Sequence, residues 1–284
     1  NLKQYDDFRE NFSWNDVNAA FTWNETGKVN IAYEALDRHA ADPATKDKTA
    51  LIYADAEREE EYTFSALSNL SNRFANVLEK TGVNKGDPVF LLTPRSPEYY
   101  AIFFGVLKIG AVAAPLSEAF REQAIRDRLE DSEAKILVTT SEFLQRVPYQ
   151  ELPLLKKIIV IGEAPKKDSL FMDYQEEMKL ASEEFAIEWV DLEDGMVLHY
   201  TSGSTGKPKG VYHVHHAMVQ QYATSEWVLD LKADDKYWCT ADPGWITGTS
   251  YGILGPWLHG VTNIVYGDTL TANRVYEILE KYKI

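Results

Sequence analysis

Between Tyr200 and Gly210 the chain runs Tyr200-Thr201-Ser202-Gly203-Ser204-Thr205-Gly206-Lys207-Pro208-Lys209-Gly210. Four Ser/Thr hydroxyls, three glycines and two lysines fall within these eleven residues. Glycine lets backbone N–H groups turn toward a ligand with no Cβ in the way. Hydroxyls add short hydrogen bonds and can touch a metal ion, and lysines add point charges. That mixture suits a polyphosphate. The ordinary P-loop, in which a Gly and four further residues precede Gly-Lys-Ser/Thr, does not fit. Gly206-Lys207 is present, but Thr201 stands where the first Gly belongs and Pro208 where the hydroxyl belongs. A flexible Ser/Gly linker is the plain alternative, but it rarely carries two Lys and a Pro directly after an apolar run.

Such a segment needs rigid elements around it. The apolar run Met196–Tyr200 predicts a strand before it, and a pattern over about His215–Leu229 predicts a helix after it. A helix there would point its N-terminal dipole at the ligand. The same grammar runs upstream. Phe64, Leu67, Leu70, Phe74, Val77 and Leu78 recur at helical spacing, with Gly82 placed as a C-cap. Pro88–Leu92, Ala111–Leu116, Lys135–Thr139 and Lys157–Ile161 are strand-length apolar runs. Helices are predicted over Asn30–His39, Glu122–Leu129 and Tyr174–Glu184, and from Pro97 to about Ile109 with Ser96 as cap. Lys236–Thr240 and Thr262–Tyr266 predict further strands, and Ala272–Lys281 a helix. Asp42–Lys48 reads as a loop and Glu57–Glu61 as a solvated hairpin or loop. Strands alternating with helices predict an α/β fold of two packed βα subdomains with mainly parallel sheets. The expected division is an aromatic lead-in and cap over 1–62, a first α/β subdomain over 63–195, and a phosphate-loop and acyl-pocket subdomain over 196–284. The acidic stretch Trp189–Gly195 is the expected linker. The last residues read as a helix followed by the start of another strand, so the architecture is expected to continue past Ile284.

Composition narrows the class. The 284 residues are 45% hydrophobic, 26% charged and 12% aromatic, which is the range of a globular chain with a sizeable core. A net charge of −15 excludes a general nucleic-acid binder, because phosphate contacts need a basic footprint. It also means that an anionic ligand needs a local site strong enough to overcome the overall field. The single cysteine, Cys239, excludes an intrachain disulfide and cysteine-based zinc sites, and reads as a small buried residue. No window is apolar enough to span a membrane, and the N-terminal residues lack a signal-peptide core. The expected location is cytoplasmic.

The segment Thr201–Gly210 resembles the phosphate-binding signature of the adenylate-forming enzymes, which include acyl-CoA synthetases, luciferases and peptide-synthetase adenylation domains. Trp238-Cys239-Thr240-Ala241-Asp242-Pro243-Gly244-Trp245-Ile246-Thr247-Gly248 and Pro115-Leu116-Ser117-Glu118-Ala119-Phe120 are similar to the acetyl-CoA synthetase branch, and the likeness runs through nearly the whole chain. The resemblance implies a two-step reaction with small-molecule substrates. Acetate attacks the α-phosphate of ATP, giving acetyl-adenylate and pyrophosphate. The CoA thiol then attacks the adenylate, giving acetyl-CoA and AMP. Carried over by position, Thr201, Ser202, Gly203, Ser204, Thr205 and Gly206 would hold ATP phosphates, with Lys207 and Lys209 adding charge. Thr205 would stand nearest a Mg²⁺ ion. Trp245, Ile246 and Thr247 would line the acyl pocket, with Thr247 also near CoA. A small pocket walled by an indole suits a two-carbon acid, and one extra methylene costs only about 1–3 kcal/mol, so propionate should leak through. The family's later motifs, including the adenylation lysine and the hinge to a C-terminal domain, are not in these residues. The resemblance therefore implies that this chain alone is inactive in adenylation and that a C-terminal domain is its missing partner. A non-catalytic nucleotide-binding module and a ligase for a larger carboxylic acid are the alternative readings.

Three further features carry weaker expectations. His213, His215 and His216 are close in sequence, but they lack a third ligand type for a metal. They are expected at a helix start beside the glycine-rich segment, adding positive potential. Asp242 and Trp245 bracket Pro243-Gly244, which reads as a tight turn in which Asp242 is structural. Arg95, after a strand and before a helix cap, could face the carboxyl edge of the sheet, where open α/β folds bind ligands.

Overall fold

The computed structural model describes residues 4–166, 168–202 and 206–284. Eleven strands are described: β1 Thr49–Ala54, β2 Glu59–Thr63, β3 Pro88–Leu92, β4 Val112–Pro115, β5 Ile136–Thr140, β6 Lys157–Ile161, β7 Phe171–Asp173, β8 Gly195–Ser202, β9 Pro208–Val214, β10 Lys236–Trp238 and β11 Thr262–Tyr266. They form a seven-stranded sheet in the order β7-β6-β5-β3-β4-β8-β9 and a four-stranded sheet in the order β10-β11-β1-β2. The large sheet is parallel throughout except for its last pair, β8 with β9. In the small sheet β10, β11 and β1 are parallel, and β2 is an antiparallel edge strand reached by a hairpin from β1. This is the mixed α/β architecture with mainly parallel sheets that the alternating pattern predicts.

Parallel strands need helical crossovers, and these cover the sheets on their faces. The helix Phe64–Glu79 starts where the Thr63 side chain accepts from the Ala66 N–H, and it buries Phe64, Leu67, Phe74, Val77 and Leu78 on one stripe. It crosses the helix Pro97–Lys108 closely. A Cβ on Gly105 would lie 2.9 Å from both the Phe74 ring and the Ser71 carbonyl oxygen. Pro97 opens that second helix as its fixed φ favours, but the Ser96 side chain makes no capping bond. The aromatic lead-in forms short helices, Tyr5–Asn11, Trp14–Asn18 and Trp23–Thr26. Its rings pack on the body: Phe8 and Phe12 lie edge-on to Trp227, and Phe21 stacks on Trp23 at 4.0 Å.

One expectation needs correction. The chain after the glycine-rich segment is strand β9, not a helix. Thr201 pairs with Lys209 and Ser202 with Pro208, so an antiparallel hairpin flanks the segment. The helix begins only at Met218, after a 3₁₀ turn at His215–Ala217, and no helix N-terminus directly follows the segment. Residues 208–214 are exposed or half-buried throughout this edge strand, so they offer no buried apolar run to read. The small sheet joins residues 49–63 to 236–266, while β8 and β9 belong to the large sheet. The stretch expected as a linker is held by Val190, which bridges Val29 through backbone hydrogen bonds in both directions.

Candidate functional site

The carboxyl ends of the two sheets meet. The loops after β3, β4 and β5 supply Arg95, Glu118, Phe143 and Arg146 to a cleft of about 560 Å³, and the loop after β11 supplies Gly267–Leu270 to its other wall. Arg95 therefore faces the carboxyl edge, as its position between strand and cap predicts. Its Nη1 donates to the Thr240 carbonyl at 3.2 Å, and its Nη2 stands 3.7 Å from Glu118 Oε1. Burial pushes the Glu118 carboxyl above its ordinary range, against the opposing charge of Arg95. Arg146 donates to the Glu118 carbonyl at 2.6 Å and lies over the Phe143 ring at 4.0 Å. Two guanidinium groups thus stand in one cleft of a strongly acidic chain.

Beside this cleft lies the turn Asp242–Thr249. Asp242 is the acceptor of this turn. Its Oδ1 accepts from the Gly244 N–H at 2.7 Å, and its carbonyl accepts from the Trp245 N–H at 2.9 Å. Its Oδ2 accepts from the Ser117 hydroxyl at 2.6 Å, joining the loop after β4 to the loop after β10. Gly244 lies so close to that loop that a Cβ would sit 2.2 Å from the Ser117 nitrogen. The short helix Ile246–Thr249 follows. Its Thr249 hydroxyl donates to the Pro243 carbonyl at 2.9 Å and lies 3.0 Å from His199 Nε2 on β8.

Trp245, Ile246 and Thr247 are exposed on this turn, with Trp245 51% accessible. The ring of Phe120, from the loop after β4, meets Trp245 edge-on at 6.1 Å. Arg128 caps Phe120 at 4.1 Å and stands 5.7 Å from the Tyr200 ring centre, while the Tyr200 hydroxyl donates to Asp131. Two side-chain routes therefore join the Trp245 turn to the end of β8: His199 to Thr249, and Tyr200 through Arg128 and Phe120. Thr201, Ser202, Lys207 and Lys209 flank the glycine-rich segment on the paired strands and its following turn, all exposed, and Gly206 has φ +88°. Gly203, Ser204 and Thr205 lie outside the described residues.

The three adjacent histidines are not brought together. His213 sits on β9. His215 is buried, and its Nδ1 accepts from the Ile31 N–H at 3.1 Å. His216 Nε2 meets Asn18 Oδ1 at 3.2 Å. Burial lowers the pKa of His213, and that of His215 to about 4, so these two rings are neutral and add no positive potential near pH 7. Among the described residues no three His, Cys, Asp or Glu side chains cluster as a metal site. Thr205, the residue matched to Mg²⁺, lies outside those residues. Cys239 is half-buried, and burial pushes its thiol up, away from the reactive thiolate.

Sequence reasoning did not single out His199, Arg128 or Arg146. A histidine inside the apolar run Met196–Tyr200 was the one local signal for His199, because a polar side chain in a buried strand needs a partner. The arginines gave none, since exposed and stacked arginines look alike in sequence.

The AMP-binding enzyme family matches residues 36–284. The acetyl-coenzyme A synthetase of Bacillus subtilis (strain 168) is 53% identical over 99% of this chain and 49% of its own length. That of Rubrobacter xylanophilus is 36% identical over 92% of this chain and 44% of its own. The chain thus spans about half the length of the curated relatives it matches. The crystal structure of a Brucella canis acyl-CoA synthetase superposes with a TM-score of 0.91 at 30% identity, over all of this chain and 51% of that one. With the family pattern covering residues 36–284 and the two-sheet fold shared with a solved acyl-CoA synthetase, this chain belongs to the AMP-binding enzyme family.

Proposed function

We propose that this chain carries the nucleotide- and acid-binding face of an AMP-forming acid–CoA ligase whose acid is acetate. The observation that carries the reading is the side-chain bridging between the Trp245 turn and the end of β8, which leads into the glycine-rich segment. A ligase of this type must bring a carboxylate against the α-phosphate of ATP, and both are anions. Residues 201–207 and Lys209 hold the phosphates and offset their charge, with Thr205 next to any Mg²⁺ that accompanies ATP. Trp245, Ile246 and Thr247 meet the acyl group, and Thr247 lies on the side from which the CoA thiol comes. An acetate oxygen bonds to the α-phosphorus as the bond to pyrophosphate breaks. In the second step the CoA sulfur bonds to the acyl carbon and AMP leaves. Preorganised donors aimed at the departing pyrophosphate stabilise its developing charge without reorganisation. The similarity to acetyl-CoA synthetases, 53% identical in one case, supports acetate as the acid.

Acetate-dependent exchange of labelled pyrophosphate into ATP tests this reading. It is run with Mg²⁺ on these 284 residues and on a chain extended to the length of the relatives. The expected result is exchange in the extended chain and none in the 284 residues. Exchange in the shorter chain would show that adenylation needs nothing more. ATP binding without exchange in the extended chain would favour a non-catalytic nucleotide-binding module, and exchange only with longer acids would favour a ligase for those.

A further inference from the structure

His199 is a buried, polar residue in the middle of β8, between the apolar neighbours Leu198 and Tyr200. Among the described residues its side chain meets the Thr249 hydroxyl at 3.0 Å, and the His213 ring lies edge-on to it at 6.3 Å. The same hydroxyl donates to the Pro243 carbonyl at 2.9 Å. The Gly244 backbone is a further hydrogen-bonding neighbour of the ring, and burial lowers the histidine pKa to about 4. A neutral imidazole buried at this point costs desolvation that an aliphatic side chain would not incur, and its hydrogen bond is what offsets the cost.

We propose that His199 is a positioning residue for acid recognition: through Thr249 it holds the Trp245–Thr247 turn at a set place relative to the strand leading into the glycine-rich segment. The turn is closed on itself by bonds to Asp242 and Pro243, so it moves as a unit. Two side chains from the large sheet's strands and loops grip it by hydrogen bonds. Ser117 holds the Asp242 end and His199 holds the Thr249 end. Between the grips, the indole of Trp245 is half open, and its ring contact is with Phe120. Releasing the Thr249 end lets the turn pivot on the Ser117–Asp242 bond and carries Trp245 with it. His199 lies three residues before Ser202, so the same strand sets both the acid wall and the start of the glycine-rich segment. The inference rests on the acid-binding role proposed above only for its meaning in catalysis; the mechanical part stands without it.

The test uses 5-fluorotryptophan labelling of this chain and its ¹⁹F spectrum, with the Trp245 line identified by Trp245→Phe. His199→Leu and Thr249→Val remove the bond. His199→Gln keeps a donor near the Nε2 position, and Thr249→Ser keeps the hydroxyl. The expected result is that the Leu and Val variants shift and broaden the Trp245 line, leave the other tryptophan lines in place, and are reversed by Gln and Ser. In the extended chain, the acetate-over-propionate preference in kcat/KM should fall by about tenfold in the Leu and Val variants, with the KM for ATP unchanged. His199→Phe keeps the test decisive if His199→Leu does not fold, because Thr249→Val also removes the bond to Pro243. A Trp245 line unmoved in the variants that fold overturns the inference, as does a shift of all the tryptophan lines together. Lack of acetate-dependent exchange in the unmutated extended chain would instead overturn the functional reading, and the ¹⁹F result would stand by itself.

Discussion

The Ser117 hydroxyl donates to Asp242 Oδ2 at 2.6 Å, across 125 residues of chain. Ser117 follows a strand of the seven-stranded sheet, and Asp242 follows a strand of the four-stranded sheet. One hydrogen bond to a carboxylate therefore joins the carboxyl edges of both sheets beside the exposed Trp245. Asp242 Oδ1 is taken by the Gly244 N–H, so each carboxylate oxygen has one partner. Hydrogen bonds to charged groups are the stronger kind, about 1.5–3 kcal/mol net.

Ser117→Ala should lower stability by about 1–3 kcal/mol, because it leaves a half-buried carboxylate oxygen without its donor. Denaturant unfolding followed by far-UV circular dichroism checks this. An unchanged midpoint would mean that solvent replaces the bond at no cost.

Gly244→Ala should be more damaging. The new Cβ would lie 2.2 Å from the Ser117 nitrogen and 2.4 Å from its Cα, and backbone cannot rotate away as a side chain can. A loss on the order of 3 kcal/mol or more places it in the severe tail of single substitutions. The comparison to make is soluble yield and melting temperature against Ser117→Ala, and a milder effect for Gly244→Ala would contradict the packing.

Lys108 and Asp37 should respond unequally. Lys108 is fully buried, 2.7 Å from Asp37, and also donates to Asn72 and Ser68. Burial pulls its pKa down, partly restored by Asp37. Asp37→Ala strands a buried ammonium and should cost about 3–5 kcal/mol, whereas Lys108→Met should cost far less because it removes the buried charge itself. Equal losses in urea unfolding would show that packing, and not charge, dominates there.

Stability should fall as pH drops from about 6.5 toward 4. His39, His199 and His215 have pKa values lowered to about 4, chiefly by burial, and His213 and His259 are lowered for the same reason. Their unfolded value is about 6.5. Between the two, the unfolded chain binds more protons, so stability rises with pH. It is complete above the unfolded value and is lost on acidification through the window. Glu118, raised by burial, works in the opposite direction, but as one group against several. Thermal melts from pH 7.5 to 5 should show the decline, and His215→Gln should flatten it. A flat profile would mean that these rings are solvated.

In the extended chain, Lys207→Ala or Lys209→Ala should reduce kcat/KM for ATP by about tenfold or more, as expected for losing a charge-assisted contact to phosphate. Pyrophosphate exchange at limiting ATP measures it. Full activity in both variants would remove the lysines from the phosphate site.

Much of the fold was legible because it rests on short-range pattern. The helix Phe64–Glu79 shows its buried stripe directly, and β6 and β11 begin and end where their apolar runs do. The glycine-rich segment stood out by residue type, and the Asp242 turn by its Pro-Gly. β9 was misread as the approach to a helix because an edge strand with exposed Val211 and Tyr212 has no buried run to announce it. Sheet membership was not legible either, since β1 pairs with β11 across more than two hundred residues. By itself the sequence determined elements such as the helix Phe64–Glu79, β6 and β11, and it marked Thr201–Gly210 by residue type, because propensity, capping and apolar spacing act between residues that are near in the chain. Only the tertiary structure decided that His199 meets Thr249, that Ser117 meets Asp242, and that Arg128 and Phe120 back Trp245. Those contacts depend on how two sheets pack at their carboxyl edges, and no local periodicity encodes the distance between side chains that only packing brings together.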